Sequence, residues 1–547
     1  MNKNMTQHYR TFITPNSHMI TRILSFLCIV AIYLSMIYAP AYNAFNPATK
    51  DTYSSILETV TYDTSFSISK LLHKNFSWYK YDTLDALLAA PISFETEVST
   101  RGFSKVNDGG GAVYKITKHP VLDVNPYTTF EMANGMFAEL KFDYSSNVDV
   151  ASMGIFPNEK VSAKLNQVHK LLDGQVSGIV FNQGTYYIEC PLYLKSFNYY
   201  GNNTTLAVSK DFNCAEVNVI LTKKSDTKPY KIGLYNINFL FETSKDQSLY
   251  NFESVFVALR YIAGCIINDC NFIVRPADIN GAFQEVVVLW FKQTTMMQNI
   301  SIERCQVRNL TAQNYSGDVN DNIIGGTLLF SGEAGTTNHK FTNIIIKDCK
   351  LESTINDETL SFWNGIFENI FIKNTEIINS NHPSNNFITF YNGEFHGVQV
   401  NDCTITANEP ARNIIKLRQL TNASELSFTR TNFYGNISKE NPSRPSVSIF
   451  KADDITNNFN GKTSVKFEGC AFAPIAGNGN TYDSLIRIYN SKNVDVSMKW
   501  CTNTYEVRYG KVWLSNSKNS SVSLYKCQGI DNGDYAVLHT QSNIKVQ

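Results

Sequence analysis

This 547-residue chain has no charge excess: Lys plus Arg and Asp plus Glu are both 48, and charged residues make up only 18%. Nucleic-acid binders usually carry a basic surplus, so no nucleic-acid partner is expected. Cys-x-x-Cys pairs are missing, so there is no metal-ligand spacing and no metal site is expected. The glycine run at Asn107-Asp-Gly-Gly-Gly111 lacks Gly-Lys-Ser/Thr and leads into an alternating strand rather than a helix. It is a tight turn, not a phosphate loop.

What is present is a repeat. An apolar, any, apolar, any, any, Cys or Thr, any, apolar pattern runs through Ile300/Ile302/Cys305/Val307, Ile344/Ile346/Cys349/Leu351 and Ile370/Ile372/Thr375/Ile377. It returns at Val398/Val400/Cys403/Ile405, Leu426/Phe428/Thr431/Phe433 and Val465/Phe467/Cys470/Phe472. The steps 349→375→403→431 are 26, 28 and 28 residues, the mark of a solenoid. Alternation with period two makes each copy a strand. The two residues before the Cys/Thr position, such as Asn268-Asp269 and Asn401-Asp402, tolerate a sharp, left-handed bend. A further strand precedes each copy, as at Leu360–Trp363 and Ile388–Tyr391. Three short strands per turn of about 28 residues describe an all-β, single-stranded parallel β-helix. The Cys/Thr position reads as a small inward residue stacked between coils, in a geometry that suits disulfides poorly.

Residues 23–39 are almost wholly apolar, follow Lys3, Arg10 and Arg22, and are followed by no charge before Lys50. The run reads as a signal-anchor, which would tie the chain to a membrane, or as a signal peptide cleaved near Ala39-Pro-Ala41. Either exports the remainder to the cell envelope or beyond. The expected organisation is 1–44 as n-region and anchor or signal, 45–145 as a tether and small α+β cap, and 146–547 as the β-helix.

Gly102-x(5)-Asp108-Gly-Gly-Gly111-Ala-x-Tyr-x-Ile116, followed by Ala133-Asn-Gly-Met-Phe-Ala-Glu-Leu140, resembles the element that precedes the β-helix in phage tailspike-like proteins of the pectate lyase superfamily. The later pieces correspond to Val150-Ala-Ser-Met-Gly154, a helix near Val161–Leu172, and Ile179–Ile188. The family's Gly-Asp pair is replaced by Phe156-Pro157-Asn158. The resemblance covers roughly residues 100–547. It implies a right-handed coil and a polysaccharide partner, in a superfamily of lyases, hydrolases, epimerases and non-catalytic binders. Trimers, common among tailspike-like β-helices, have no readable signature here.

Aligning the strand that precedes each Cys/Thr unit gives an outward column of Trp363, Tyr391, Arg418, Phe450 and Tyr489. Beside it lie Asn364, Asn392, Gln419, Lys451 and Asn490, then Ser361, Thr389, Lys416, Ser448 and Arg487. Aromatic faces and amides suit sugar rings and hydroxyls, and Arg418, Lys416 and Arg487 suit the carboxylate of an acidic sugar. The long steps 305→349 (44 residues) and 431→470 (39 residues) would wall this face with loops. They offer the carboxylates Asp318, Asp321, Glu333, Asp453 and Asp454, with Glu394 between them. Hydrolysis needs two carboxyls, here Glu394 with Glu333 or Asp453. A lyase needs a base and charge neutralisation, for which Arg418 or Lys416 serves. Calcium is a candidate ion for a lyase, although no calcium-binding repeat motif is visible. The expectation is a polysaccharide lyase or glycoside hydrolase. The alternatives are a non-catalytic carbohydrate-binding or adhesive solenoid and an epimerase of envelope polymer assembly.

Overall fold

The computed structural model describes residues 80–212, 218–223, 228–243, 254–276, 286–293, 296–310, 326–333, 339–354, 358–379, 384–408, 411–435, 448–457, 461–475, 484–505, 511–530, 535–537 and 541–546. The apolar run 23–39 and the loop carboxylates Asp318 and Asp321 lie outside the described residues. Tyr79–Gln547 form one compact unit.

Its main body is a sheet of 33 strands whose pairings are parallel, each strand joined to its counterpart one coil away. One coil shows the plan. Leu360–Lys373 provides a first arm, kinks at Asn364 (φ 54°), and continues as a second arm. A second bend at Asn374 (φ 47°) starts the third arm, Glu376–Asn379. Leu360, Ile370 and Ile377 pair with Ile388, Val398 and Ile405 of the next coil, and all six are fully buried. Period-two alternation turns these side chains inward, where like residues stack. Phe330, Phe362 and Phe390 form one ladder, with ring centroids 5.3 and 5.4 Å apart. Phe341, Phe367 and Phe395 form another, at 4.6 and 4.9 Å. Crossover connections between parallel strands are right-handed almost without exception.

The bends fall where the sequence places them. Asp269, Asp348, Asp402 and Gly469 have positive φ, as do Arg304 and Arg430 at the same position. The alternation of Cys and Thr after each bend has a chemical cause. Cys349 Sγ donates to the Lys347 carbonyl at 3.1 Å, and Thr375 Oγ1 to the Lys373 carbonyl at 3.0 Å. Thr431 Oγ1 does the same to the Thr429 carbonyl at 3.2 Å. These carbonyls also accept a backbone N–H from the preceding coil, as Lys347 does from Arg304 at 3.0 Å, and any small side chain with one donor adds the second bond. The described cysteines are free thiols. Cys501, missing from the sequence alignment of the repeat, occupies the same place after the Trp500 bend.

Before the solenoid stands a five-stranded sheet in the order Lys80–Tyr81, Thr96–Thr100, Val113–Thr117, Phe137–Leu140, Thr129–Glu131. Its Val98, Tyr114 and Ile116 belong to the same continuous core as the coils. The glycine-rich motif folds around Asp108. That carboxylate accepts from the backbone N–H groups of Phe103, Ser104, Lys105 and Gly110 at 2.8 to 3.0 Å. Burial alone would raise its pKa, but the four donors hold it below the ordinary value. A Cβ on Gly102 would stand 1.8 Å from the Lys105 carbonyl oxygen, and one on Gly110 would stand 2.4 Å from that of Ala151. The helix Ser162–Leu172 buries Leu165, Val168 and Leu172. Both carboxylate oxygens of Glu189 accept from its first turn, each at 3.0 Å from Ser162 N or Ala163 N.

Candidate functional site

Strand register decides which outward side chains share a face. Trp363, Tyr391, Arg418, Asp453 and Tyr489 are aligned in successive coils at the end of the first arm. Two residues earlier, Ser361, Thr389, Lys416, Lys451, Arg487 and Trp513 form the neighbouring column. The expected place of Phe450 is therefore overturned. It is 1% exposed and pairs with Ile415 and Ile486 inside the solenoid. Phe450 and Ala452 are the inward pair of that coil, so Lys451 and Asp453 take the outward positions assigned by sequence to Ser448 and Phe450. The small Ala452 hid the register. The signal that would have revealed it is the match of Phe450-x-Ala452 to Ile415-x-Leu417.

Asn364, Asn392 and Asp454 sit at the bend after the first arm, each with positive φ. Asn392 Nδ2 donates to Asn364 Oδ1 at 2.8 Å, and Asn490 Nδ2 to Asp454 Oδ1 at 2.6 Å. These side chains tie successive bends together and are engaged with one another.

Glu394 lies on the second arm, past the bend, paired with Ile366 and Asn422. Its Oε2 is 3.4 Å from His396 Nε2, and His396 Nδ1 is 2.8 Å from Ser424 Oγ. Glu333 follows Ser331, which pairs with Trp363, so it lies two coils before Glu394. Asp453 lies two coils after it, on the other side of the bend. Two rungs of parallel strands are roughly 10 Å. Register thus does not set either proposed carboxyl pair at facing positions.

What the register does gather is a mixed cluster centred on Lys416. Lys416 is half-buried and has no hydrogen-bond or ion-pair partner among the described residues. Burial, then the charges of Lys451 and Arg418, push its ammonium down to about 8. Two like charges one rung apart repel by on the order of 3 kcal/mol at an effective dielectric of 20. Lys451 is neutralised by Asp453, Nζ to Oδ2 2.8 Å, with both side chains nearly buried. Arg487 lies 4.3 Å from the centroid of Trp513 and 5.3 Å from that of Tyr489. Arg418 projects from the same strand as Lys416 toward the Tyr391 ring at 5.8 Å. Its buried Nε has no hydrogen-bond partner among the described residues. Glu358 completes the cluster. This buried carboxylate accepts from Thr389 Oγ1 at 3.1 Å and Asn386 Nδ2 at 3.3 Å, and its charge acts on Lys416. Glu358 is the member that sequence reasoning missed, and Lys451 moves from the bend column, where the alignment set it, to the column of Lys416. Glu358 precedes the recognisable strand and carries no pattern of its own. Upstream the face turns apolar, and Trp363 packs against a satellite cluster that includes Trp290 and Leu329.

No protein-family model matches the chain, and no curated protein does. Solved structures do. Tailspike protein 2 of the Escherichia coli O157:H7 bacteriophage CAB120 aligns with TM-score 0.50 and 12% identity, over 80% of this chain and 54% of its own. The gp42 tailspike of Acinetobacter phage vb_AbaP_AS12 aligns with TM-score 0.47 and 14% identity, over 85% of this chain and 78% of its own. The chain thus spans about half the length of the first of these tailspikes. At such identities the likeness is one of fold, and the first alignment carries it: the chain has the parallel β-helix fold of the phage tailspikes, as its entry motif indicated.

Proposed function

We propose that this protein is an exported, polysaccharide-active β-helix that cleaves an acidic polysaccharide by β-elimination at the Lys416 cluster. The observation that carries the reading is Lys416 itself, a half-buried amine pushed down to about 8 beside the partly unpaired guanidinium of Arg418. A guanidinium keeps its proton in any folded protein. Of the two candidate bases, Lys416 is therefore the one that can accept a proton, and Arg418 is the one that holds a carboxylate. In the step proposed, neutral Lys416 takes the proton from the carbon that bears the sugar carboxylate. Arg418 stabilises the negative charge that develops on that carboxylate. The C–O bond to the neighbouring sugar breaks, a C=C bond forms, and the leaving oxygen is protonated by solvent. Tyr391 and Tyr489 offer ring faces to the sugars on either side. The family that the entry motif resembles takes polysaccharides as partners, and this supports the substrate class. A membrane attachment through residues 23–39 and a homotrimer belong to the same proposal.

The test is to express residues 45–547 and incubate them with acidic and neutral polysaccharides. Reducing ends and the ultraviolet absorbance of a new C=C bond are followed together, with and without a calcium chelator. Both signals on an acidic polymer, lost in Lys416→Met, are expected. Reducing ends without absorbance would replace the lyase by a hydrolase. Silence in both with binding retained would leave an adhesin or an epimerase, the latter recognised by altered sugar composition.

A further inference from the structure

At the bend between the second and third arms, the coils place Asp269, Arg304, Asp348, Asn374, Asp402, Arg430 and Gly469 in turn. The next coil places Trp500 there, at φ 54°. Small polar residues and glycine adopt this conformation readily; for a bulky side chain it is an outlier that the surroundings must sustain. Trp500 is nonetheless 48% exposed, and Tyr525 of the following coil is 36% exposed, so burial does not explain them. Their rings meet edge to face at 6.3 Å. Lys499 lies one residue before Trp500 and pairs in register with Tyr525. Its Nζ stands 4.0 Å from the Trp500 ring centroid and 5.7 Å from that of Tyr525. Lys526 Nζ stands 5.2 Å from the Tyr525 ring centroid. The four side chains make a square, with aromatics on one diagonal and ammonium groups on the other. The coil before Trp500 contributes Gly469 to the ladder, so no ladder side chain covers the indole from that side.

We propose that Trp500, Tyr525, Lys499 and Lys526 form a second carbohydrate-binding site, which docks an anionic polysaccharide without cleaving it. Exposed rings offer flat apolar faces to the C–H faces of pyranose sugars. The two lysines supply the charge complement to carboxylates or sulfates along the same chain. The site stands on a bend distinct from the first-arm face of Lys416. It would hold long polymer on the solenoid while the other face works. The inference shares with the proposed function only the class of ligand, not the chemistry.

The bend itself supplies a variant that spares the fold. Trp500→Asn installs the residue that stands at Asn374 in this ladder, so its melting temperature should equal or exceed the wild-type value. The measurement is retardation of residues 45–547 in native gels containing alginate, polygalacturonate, hyaluronan or neutral dextran. The expected result is retardation by an anionic polymer that weakens at least tenfold in Trp500→Asn and in Lys499→Ala/Lys526→Ala, with dextran weaker throughout. Turnover of short oligosaccharides, if the Lys416 reading holds, should be unchanged in all three proteins. Retardation that is unaffected by both variants overturns the second site, as does its absence with every polymer. A fall in the melting temperature of Trp500→Asn would show that the indole serves the fold and would also overturn it. Loss of turnover in Lys416→Met with retardation intact separates the two proposals.

Discussion

Lys416→Met tests the reading of the site through stability as well as activity. A lysine in an ordinary surface position titrates near 10.5, and this one is pushed down to about 8. Below pH 8 both the folded and the unfolded chain carry the proton, and the folded protein bears the full cost of confining that charge. A gap of about 2.5 pKa units corresponds to roughly 3 kcal/mol, reduced to roughly 2 kcal/mol by the side chain's remaining solvent contact. Between pH 8 and 10.5 the folded protein has lost a proton that the unfolded chain keeps, so wild-type stability rises with pH in that window. Methionine has nearly the same length and no charge. The variant should therefore melt higher than wild type at pH 7, and the advantage should largely vanish by pH 10. Scanning calorimetry at both pH values, at one scan rate, measures this. Turnover should be lost at every pH, whereas wild-type kcat/KM should climb about tenfold per unit to pH 8 and then level. A Met variant that is less stable at pH 7, or equally advantaged at pH 10, would refute the claim that Lys416 is held against its electrostatic preference. A residue that serves only the fold does not raise stability when it is removed.

Other outcomes follow from the same structure. His169 is fully buried between Phe197 and Tyr199 and is pushed down to about 4 by burial, so stability should fall as pH drops from 6.5 toward 4, by about 3 kcal/mol. His169→Phe should remove that acid dependence in a pH series of melting temperatures. Asp108→Ala leaves four backbone donors without their acceptor and should cost about 3 kcal/mol, with Asp108→Asn costing less, by thermal melting. Cys349→Thr should fall within about 1 kcal/mol of wild type, and Cys349→Val, which removes only the second donor to a Lys347 carbonyl that Arg304 N still reaches, should cost no more than about 1 kcal/mol beyond that by thermal melting.

The sequence carried the solenoid because the signals that specify it repeat. An inward apolar residue at every second position, a left-handed bend and a donor after it recur coil after coil, so one misread copy is corrected by its neighbours. The Cys/Thr column was legible for that reason, whereas the helix near residues 161–172 and the tight turn at Asp108, which occur once, were legible from their own local patterns. The site was less legible because it depends on what does not repeat. In the coil that begins at Ser448, a small inward Ala452 after a long connection moved the apparent register. Phe450 was read as a ligand platform while Asp453 took its place on the face. Asn364 and Asn392 were read as sugar-binding amides although asparagine is also the residue that left-handed bends select, and the bends claim them. Glu358 could not be found at all. It lies outside the repeat and becomes significant only when the coil brings it to Thr389 and within reach of the charge on Lys416.

The stacking of identical bends gives the molecule a built-in scale. Each coil advances by one rung, and each rung displays its own pair of outward residues at the end of the first arm. A chain lying along that axis would be read in steps, with each step governed by one stretch of about 28 residues. Exchange of a single coil could then rewrite one step and leave its neighbours legible. Insertion of a whole coil between Glu358 and Lys416 would lengthen the ruler by one division and pull the cluster apart without disturbing a single inward ladder.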